Sequence, residues 1–250
     1  MEQHILLESY LKRLKLPSML NHYQETARQA RQDNQAYEGY LSALVEMEVI
    51  LRDENSCKRR IAAARFPLAK TLDQFDFSAL PALNKATVLN LARGEYIDQK
   101  ENLIFMGNSG TGKTHLATAM GLRACQQGRK VRFFTAAGLV NHLVEAQGAL
   151  RLSGFQRTLA NLDLIIIDEI GYVPFSESGA RLFFQAAAES YERRSILMTT
   201  NLDFSKWPQV FHCEQLTGAM LDRLTHHAHI VTMNGDSYRF KHTMARKTRP

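Results

Sequence analysis

Eight residues in the middle of the chain, Gly107-Asn108-Ser109-Gly110-Thr111-Gly112-Lys113-Thr114, match in full the spacing GxxxxGK followed by Ser or Thr. Glycines at 107, 110 and 112 let the backbone curl so that its N–H groups point inward at phosphate oxygens. A helix starting directly behind them adds its positive N-terminal end. The Lys113 ammonium is placed to reach terminal phosphates, and the Thr114 hydroxyl suits magnesium, a hard cation that keeps several waters. An apolar strand precedes the motif and a helical pattern follows it, which is the context it requires. Residues 107–114, with His115 next to them, are therefore the expected nucleotide contacts, with Mg as the accompanying cation.

Further along, Leu164-Ile165-Ile166-Ile167 reads as a buried strand that ends in Asp168 and Glu169. Ligands of parallel sheets bind beyond the carboxyl ends of the strands. Asp168, together with Thr114, is expected to hold the hydration shell of magnesium. Glu169, adjacent and oppositely directed, is expected to polarise a water for attack on a γ-phosphate. A strand ending in solvated acids is common by itself; the phosphate loop upstream gives this pair its reading. The next apolar strand, Ile196 to Thr199, runs into Thr200-Asn201. An asparagine there is ordinarily a turn or cap residue, but its order after the two motifs makes it a candidate to orient the water. Arg223, in Leu221-Asp222-Arg223-Leu224, and Arg239, in Asp236-Ser237-Tyr238-Arg239, complete the candidate catalytic set of Lys113, Asp168, Glu169, Asn201, Arg223 and Arg239. Surface arginines are mostly solvated or paired, yet phosphoryl transfer depends on positive charge at the γ-phosphate, often supplied by a neighbouring subunit.

These residues need a scaffold, and the apolar pattern describes one. From Asn102 onward, strand-length runs (Leu103–Met106, Val131–Phe134, Leu164–Ile167, Ile196–Thr199) alternate with helical segments (Lys113–Gln127, Gly138–Glu145, Ala180–Arg193). Such alternation specifies an α/β fold with a parallel sheet flanked by helices. The first part of the chain differs: Ile5, Leu6, Tyr10, Leu11 and Leu14, then Tyr37, Tyr40, Leu41, Leu44, Val45, Met47 and Leu51, recur at helical spacing. Breaks are expected at Pro17 and at residues 31–35, and Arg65-Phe66-Pro67 ends the last helix. The expected organisation is a small all-α domain over 1–65, a connector over 66–100 anchored by Phe75 and Phe77, and the nucleotide-binding domain over 101–250. A helical module this small has a thin core and is expected to pack on the following domain or on a second copy of itself.

Composition narrows the classes. With 45% hydrophobic and 22% charged residues the 250-residue chain is an ordinary globular sequence, and wholesale disorder is excluded. No apolar run reaches the ~20 residues needed to cross a bilayer. The amino-terminal stretch lacks the charged, apolar and cleavage regions of a signal peptide, so the expected location is the cytoplasm, with no membrane partner. Cys57, Cys125 and Cys213 are odd in number and share no ligand spacing, and read as reduced packing residues. A formal charge of +6 leans toward a polyanionic partner without saying where the charge lies.

Taken in order, GNSGTGKTHLATAMG, LDLIIIDEIGYVPFSESGARLFF, TTNLDFSKW, AMLDRLTHHAHIV and GDSYRFK resemble the IstB branch of the AAA+ ATPases, which is related to the helicase loader DnaC and the initiator DnaA. The similarity runs from about residue 5 to 243 and takes in RRIAAARFPLAKTLDQFDF. It implies an AAA+ P-loop core behind a helical domain, and ATP-dependent self-assembly into a homo-oligomer on double-stranded DNA with little sequence preference. It also implies a bacterial setting and a helper role toward an insertion-sequence transposase in DNA transposition. Position by position, it makes Gly107–Thr114 the Walker A loop, Asp168 and Glu169 the Walker B pair and Asn201 the first sensor. Arg223 would be the arginine finger serving the adjacent subunit's ATP, and Arg239 the second sensor.

DNA contact by phosphate needs Lys, Arg and amide donors rather than a base code. Basic candidates are Arg151 with Arg157, the run Lys58-Arg59-Arg60, and the tail with Lys241, Arg246, Lys247 and Arg249; each is equally readable as a solvated face. His226, His227 and His229 have no Cys or acid at ligand spacing, which argues against a metal site, and Phe204 and Trp207 are expected to pack the loop after Asn201. A replicative helicase loader and a P-loop small-molecule kinase are the competing readings. The acid pair, the polar strand end and the two late arginines suit attack by water better than a second substrate.

Overall fold

The structure, a computed structural model, describes residues 2–238, with side chains from residue 4 onward. The described residues up to Arg59 form one compact unit and those from Arg60 onward a second.

Three helices account for the first unit: α1 (Glu2–Arg13), α2 (Pro17–Gln32) and α3 (Tyr37–Ala64), the last continuing into the second unit. Pro17 opens α2 at its first position, where a missing N–H costs nothing. The opening amides of α2 are met from α3: the buried Glu48 carboxylate accepts the Ser18 amide at 2.9 Å and pairs with Arg52 at 3.0 Å. Burial alone would raise the Glu48 pKa, but the hydrogen bonds from Arg52 and from the Ser18 and Met19 amides hold it below the usual value. The unit's core is small, built on Leu11, Tyr23 and Leu44. Most of the apolar positions at helical spacing are exposed, among them Ile5, Leu6 and Tyr10 on α1, Leu14 just past its end, and Tyr37, Leu41 and Val45 on α3. Three helices of this length cannot enclose them all.

The second unit holds a five-stranded sheet: β1 (Asn102–Met106), β2 (Val131–Thr135), β3 (Leu164–Ile170), β4 (Ser195–Thr200) and β5 (Ala228–Thr232). All pairings are parallel and the spatial order is β2-β3-β4-β1-β5. The central strands carry unbroken apolar runs, Leu103–Met106, Leu164–Ile167 and Ile196–Met198, because both faces are covered there. Leu103, Phe105, Leu164, Ile166 and Leu197 face one core cluster, and Ile104, Ile165, Ile167, Ile196 and Met198 face the other.

On the first face lie α6 (Lys113–Gln126) and two short helices, α4 (Lys85–Leu91) and α5 (Glu95–Asp98). Their Leu116, Met120, Val88, Leu91, Tyr96 and Ile97 belong to that core, as do Ala64, Leu80 and Leu83. Residues 66–100 are thus folded into the second unit, with Phe75 and Phe77 packed against its core at a ring separation of 4.9 Å. The other face carries α7 (Ala136–Gly148), α8 (Leu152–Ala160), α9 (Glu177–Ser190), α10 (Pro208–Phe211) and α11 (Glu214–His226). Side-chain caps start several of these helices: Thr135 accepts the Gly138 amide and Ser176 the Gly179 amide. Trp207 is fully buried there, beside Phe204. Among the described residues no helix is long and apolar enough to cross a membrane.

Candidate nucleotide site

The site is built at the carboxyl ends of β1, β4 and β3, which are adjacent in that order. The loop after β1 turns into α6 at Gly112, the helix N-cap, whose φ of 90° is open to glycine and strained for other residues. A Cβ at Gly112 would also stand 2.7 Å from the Phe75 ring. Lys113 is buried and curls under its own loop, where its Nζ donates to the carbonyls of Gly107 at 2.7 Å and Asn108 at 2.6 Å. The Thr111 hydroxyl donates to the Asn108 carbonyl at 2.9 Å.

Opposite the loop, Asp168 is only 3% exposed. Burial pushes its pKa upward, against the opposing effects of hydrogen bonds from Thr199 and Thr114 and of the Lys113 charge. The Thr114 hydroxyl donates to Asp168 Oδ1 at 3.1 Å, so the two oxygen ligands expected for magnesium are neighbours. Glu169 has φ 65°, a left-handed value that is uncommon for a non-glycine residue, and the β3–β4 register shifts between Ile167 and Ile170. That bulge re-aims the side chain, as bulges beside active sites do. Glu169 is exposed and lines the cleft above the phosphate loop, whereas Asp168 is sealed below.

The cleft has a volume of about 430 Å³. Asn201 lines it with Thr199 and Thr200 from β4, and the Asn201 Oδ1 is buried without a hydrogen-bond partner. Its far wall comes from Pro67, Leu68, Gln74, Phe75 and Leu80, residues the sequence reading placed in a connector. The only advance sign of this was the aromatic pair in that stretch. His115 is at the edge of the cleft, its Nε2 2.8 Å from the Thr71 carbonyl and its ring edge-on to Phe75. Tyr172 was not foreseen: three residues past Glu169, it lines the cleft and sets its hydroxyl 2.9 Å from Ser109 Oγ. Residues 233–238 close the other side, with Asn108 Nδ2 donating to the Gly235 carbonyl at 3.4 Å and the Tyr238 amide to the Gly110 carbonyl at 3.0 Å.

Lys113, Thr114, Glu169 and Asn201 therefore share one cleft, with Asp168 hydrogen-bonded to Thr114 at its floor. Arg223 is not among the residues lining it. It lies on α11, stacked over the Phe184 ring of α9 at 5.4 Å and donating to the Ala219 carbonyl at 3.1 Å. Arg239 and the basic residues Lys241, Arg246, Lys247 and Arg249 lie outside the described residues. Arg151 and Arg157 are exposed at the start and in the last turn of α8. Lys58 and Arg59 are exposed on α3, Lys58 within 3.8 Å of Glu54. Arg60 differs, since its Nε donates to the Cys125 carbonyl at 2.8 Å in the last turn of α6, a position that favours a cation. The three histidines divide as well: His226 ends α11, while His229 sits in β5 and faces Glu101 at 2.8 Å. His229 thus lies in an edge strand, of which only Val231 is buried.

A family model described as IstB-like ATP binding protein matches residues 9–246. The chain is 36% identical over 235 residues to an insertion sequence IS232 putative ATP-binding protein of Bacillus thuringiensis, covering 94% of each. In fold it is similar to the replication initiator DnaA bound to AMPPCP and single-stranded DNA, with a TM-score of 0.57 and 20% identity; the match covers 73% of this chain and 55% of that one. It is also similar to the DnaC helicase loader, with a TM-score of 0.51 and 19% identity over 70% of this chain and 99% of that one. These two likenesses are likenesses of fold, in the parallel sheet flanked by helices. The extent of the family match, together with the relative that is alike nearly end to end, means that the chain belongs to the IstB-like ATP binding proteins and is an ATPase.

Proposed function

We propose that this ATPase acts as a helper of an insertion-sequence transposase, assembling with ATP into multimers on double-stranded DNA. Its kinship with proteins encoded by insertion sequences supports the transposition setting. The observation that carries the assembly is the position of Arg223. The arginine stands outside its own cleft, packed on Phe184, while the cleft itself is open above Glu169. A water-attack mechanism needs positive charge at the γ-phosphate that Lys113 alone does not supply, and an arginine from an adjacent subunit provides it.

In this reading the loop amides and Lys113 cradle the phosphates, and the base lies against the wall formed by Leu68, Phe75 and Leu80. Thr114 and, through water, Asp168 are the residues that would hold magnesium; their hard oxygens suit it, and the buried, charge-disfavoured Asp168 is a group that a cation would relieve. When bound, magnesium would supply charge neutralisation at the phosphates. Glu169 takes the proton of the attacking water, which the Asn201 amide holds in line. Exposed Arg151 and Arg157 serve as phosphate contacts along the duplex. The test is assembly on duplex DNA followed by imaging, with ATP or a non-hydrolysable analogue. Multimers should require the nucleotide and vanish in Lys113→Ala, and assembly on DNA without nucleotide would overturn the proposal. Mixing Lys113→Ala with Arg223→Ala chains should recover part of the hydrolysis that each lacks alone, because some shared sites then have both groups intact.

A further inference from the structure

Glu192, His226 and His227 meet on the surface of the ATPase unit. One ligand atom from each lies within 4.8 Å of the other two. The acid missing from the sequence around the histidines is thus supplied from the turn between α9 and β4. Glu192 is held there with a left-handed φ of 55°. His226 is the last residue of α11, and His227 leaves the helix at φ −125° and ψ 78°. That change of backbone brings two consecutive imidazoles to the same side, with ring centroids 4.1 Å apart. The Tyr191 hydroxyl lies 2.8 Å from His226 Nδ1. An imidazole that donates its Nδ1–H to such a partner keeps its Nε2 lone pair for a metal, the usual way in which a neighbour orients a ligating histidine.

We propose that these three side chains form a binding site for a divalent transition metal of the zinc class, with water completing the coordination. Two imidazoles and one carboxylate are a donor set for zinc, nickel or copper; magnesium and calcium prefer sites made of oxygen alone. Tetrahedral ligands at zinc bond lengths stand about 3.4 Å apart. All three side chains are exposed, so the ion has access and a small rotation of the side chains closes the remaining gap. The site would tie the segment after α9 to the last turn of α11. Arg223 stacks across the same two helices one turn earlier, so a bound ion would stiffen the platform that carries it.

The experiment is calorimetric titration of the full nucleotide-free chain with zinc chloride after chelator treatment, repeated with cobalt to read the ligand field by absorption. One saturable site per chain is expected. His226→Ala and His227→Ala should each weaken it by at least about tenfold. Tyr191→Phe, which leaves all three ligands in place, should weaken it by a smaller factor. Cys57→Ser and Cys213→Ser should bind as the parent does, which separates this site from thiol binding. Circular dichroism and unchanged ATP binding identify variants that remain folded. Absence of saturable binding, or parental affinity in the folded His226→Ala/His227→Ala double variant, would overturn the proposal.

Discussion

The Thr199 hydroxyl donates to Asp168 Oδ1 at 2.5 Å and at the same time accepts the amide of Glu169 at 2.9 Å. One buried side chain on β4 thus positions both acids of β3. Thr199→Val keeps the shape and removes the hydroxyl, leaving a backbone amide without its acceptor at a cost of about 1–3 kcal/mol. Hydrolysis should fall by about tenfold or more, the equivalent of roughly 1.4 kcal/mol in the barrier. Thr199→Ser should recover most of the loss. Steady-state phosphate release checks both, and a fully active Thr199→Val would separate Glu169 from the bulge that Thr199 supports.

Asp168 carries a charge that its surroundings disfavour, since burial outweighs the hydrogen bonds that oppose it. Asp168→Asn keeps an acceptor for Thr114 and Thr199 while deleting that charge, so the variant should be more heat-stable than the parent without nucleotide and inactive with it. The sign follows from the raised folded-state pKa. The penalty is absent below the unfolded carboxylate value of about 3.9 and fully present above the raised one. The stability difference between variant and parent should therefore grow as pH rises through that window, as read by thermal melts at several pH values.

Glu48 has the opposite sign. Its depressed pKa adds stability above the unfolded value of about 4.3, and that contribution is lost as pH falls through the folded value. Glu48→Gln should lower the melting temperature of the helical unit at neutral pH, and the gap between variant and parent should narrow in acid. A loss of about 1–3 kcal/mol is expected, because two opening amides of α2 and the Arg52 guanidinium lose their charged acceptor.

Gly112→Ala should abolish nucleotide binding and destabilise the loop. The substitution meets both the left-handed φ and the Phe75 ring. Phe75→Ala in the same background should ease the contact and leave the backbone strain, so binding measured by fluorescent nucleotide should return only in part. Full rescue would mean that the ring, not the φ value, excludes a side chain at this position.

The amino-acid sequence by itself determined the phosphate loop, the acid pair, the polar strand end and the alternation of strands with helices. Each of these is local: a glycine spacing, a run of branched residues ending in carboxylates, a period of apolar positions. The breaks at Pro17 and Arg65 were legible for the same reason, being properties of proline and its neighbour. Only the tertiary structure decided that β4 lies between β1 and β3, which brings Thr199 and Asn201 between the loop and the acids. Strand order is a matter of long-range pairing, and strands buried on both faces carry no mark of their neighbours. The same holds for the bulge that turns Glu169 outward, for the wall contributed by residues 67–80, and for Glu192 beside two histidines more than thirty positions away. These features arise where segments distant along the chain are packed together, and no local pattern encodes that meeting.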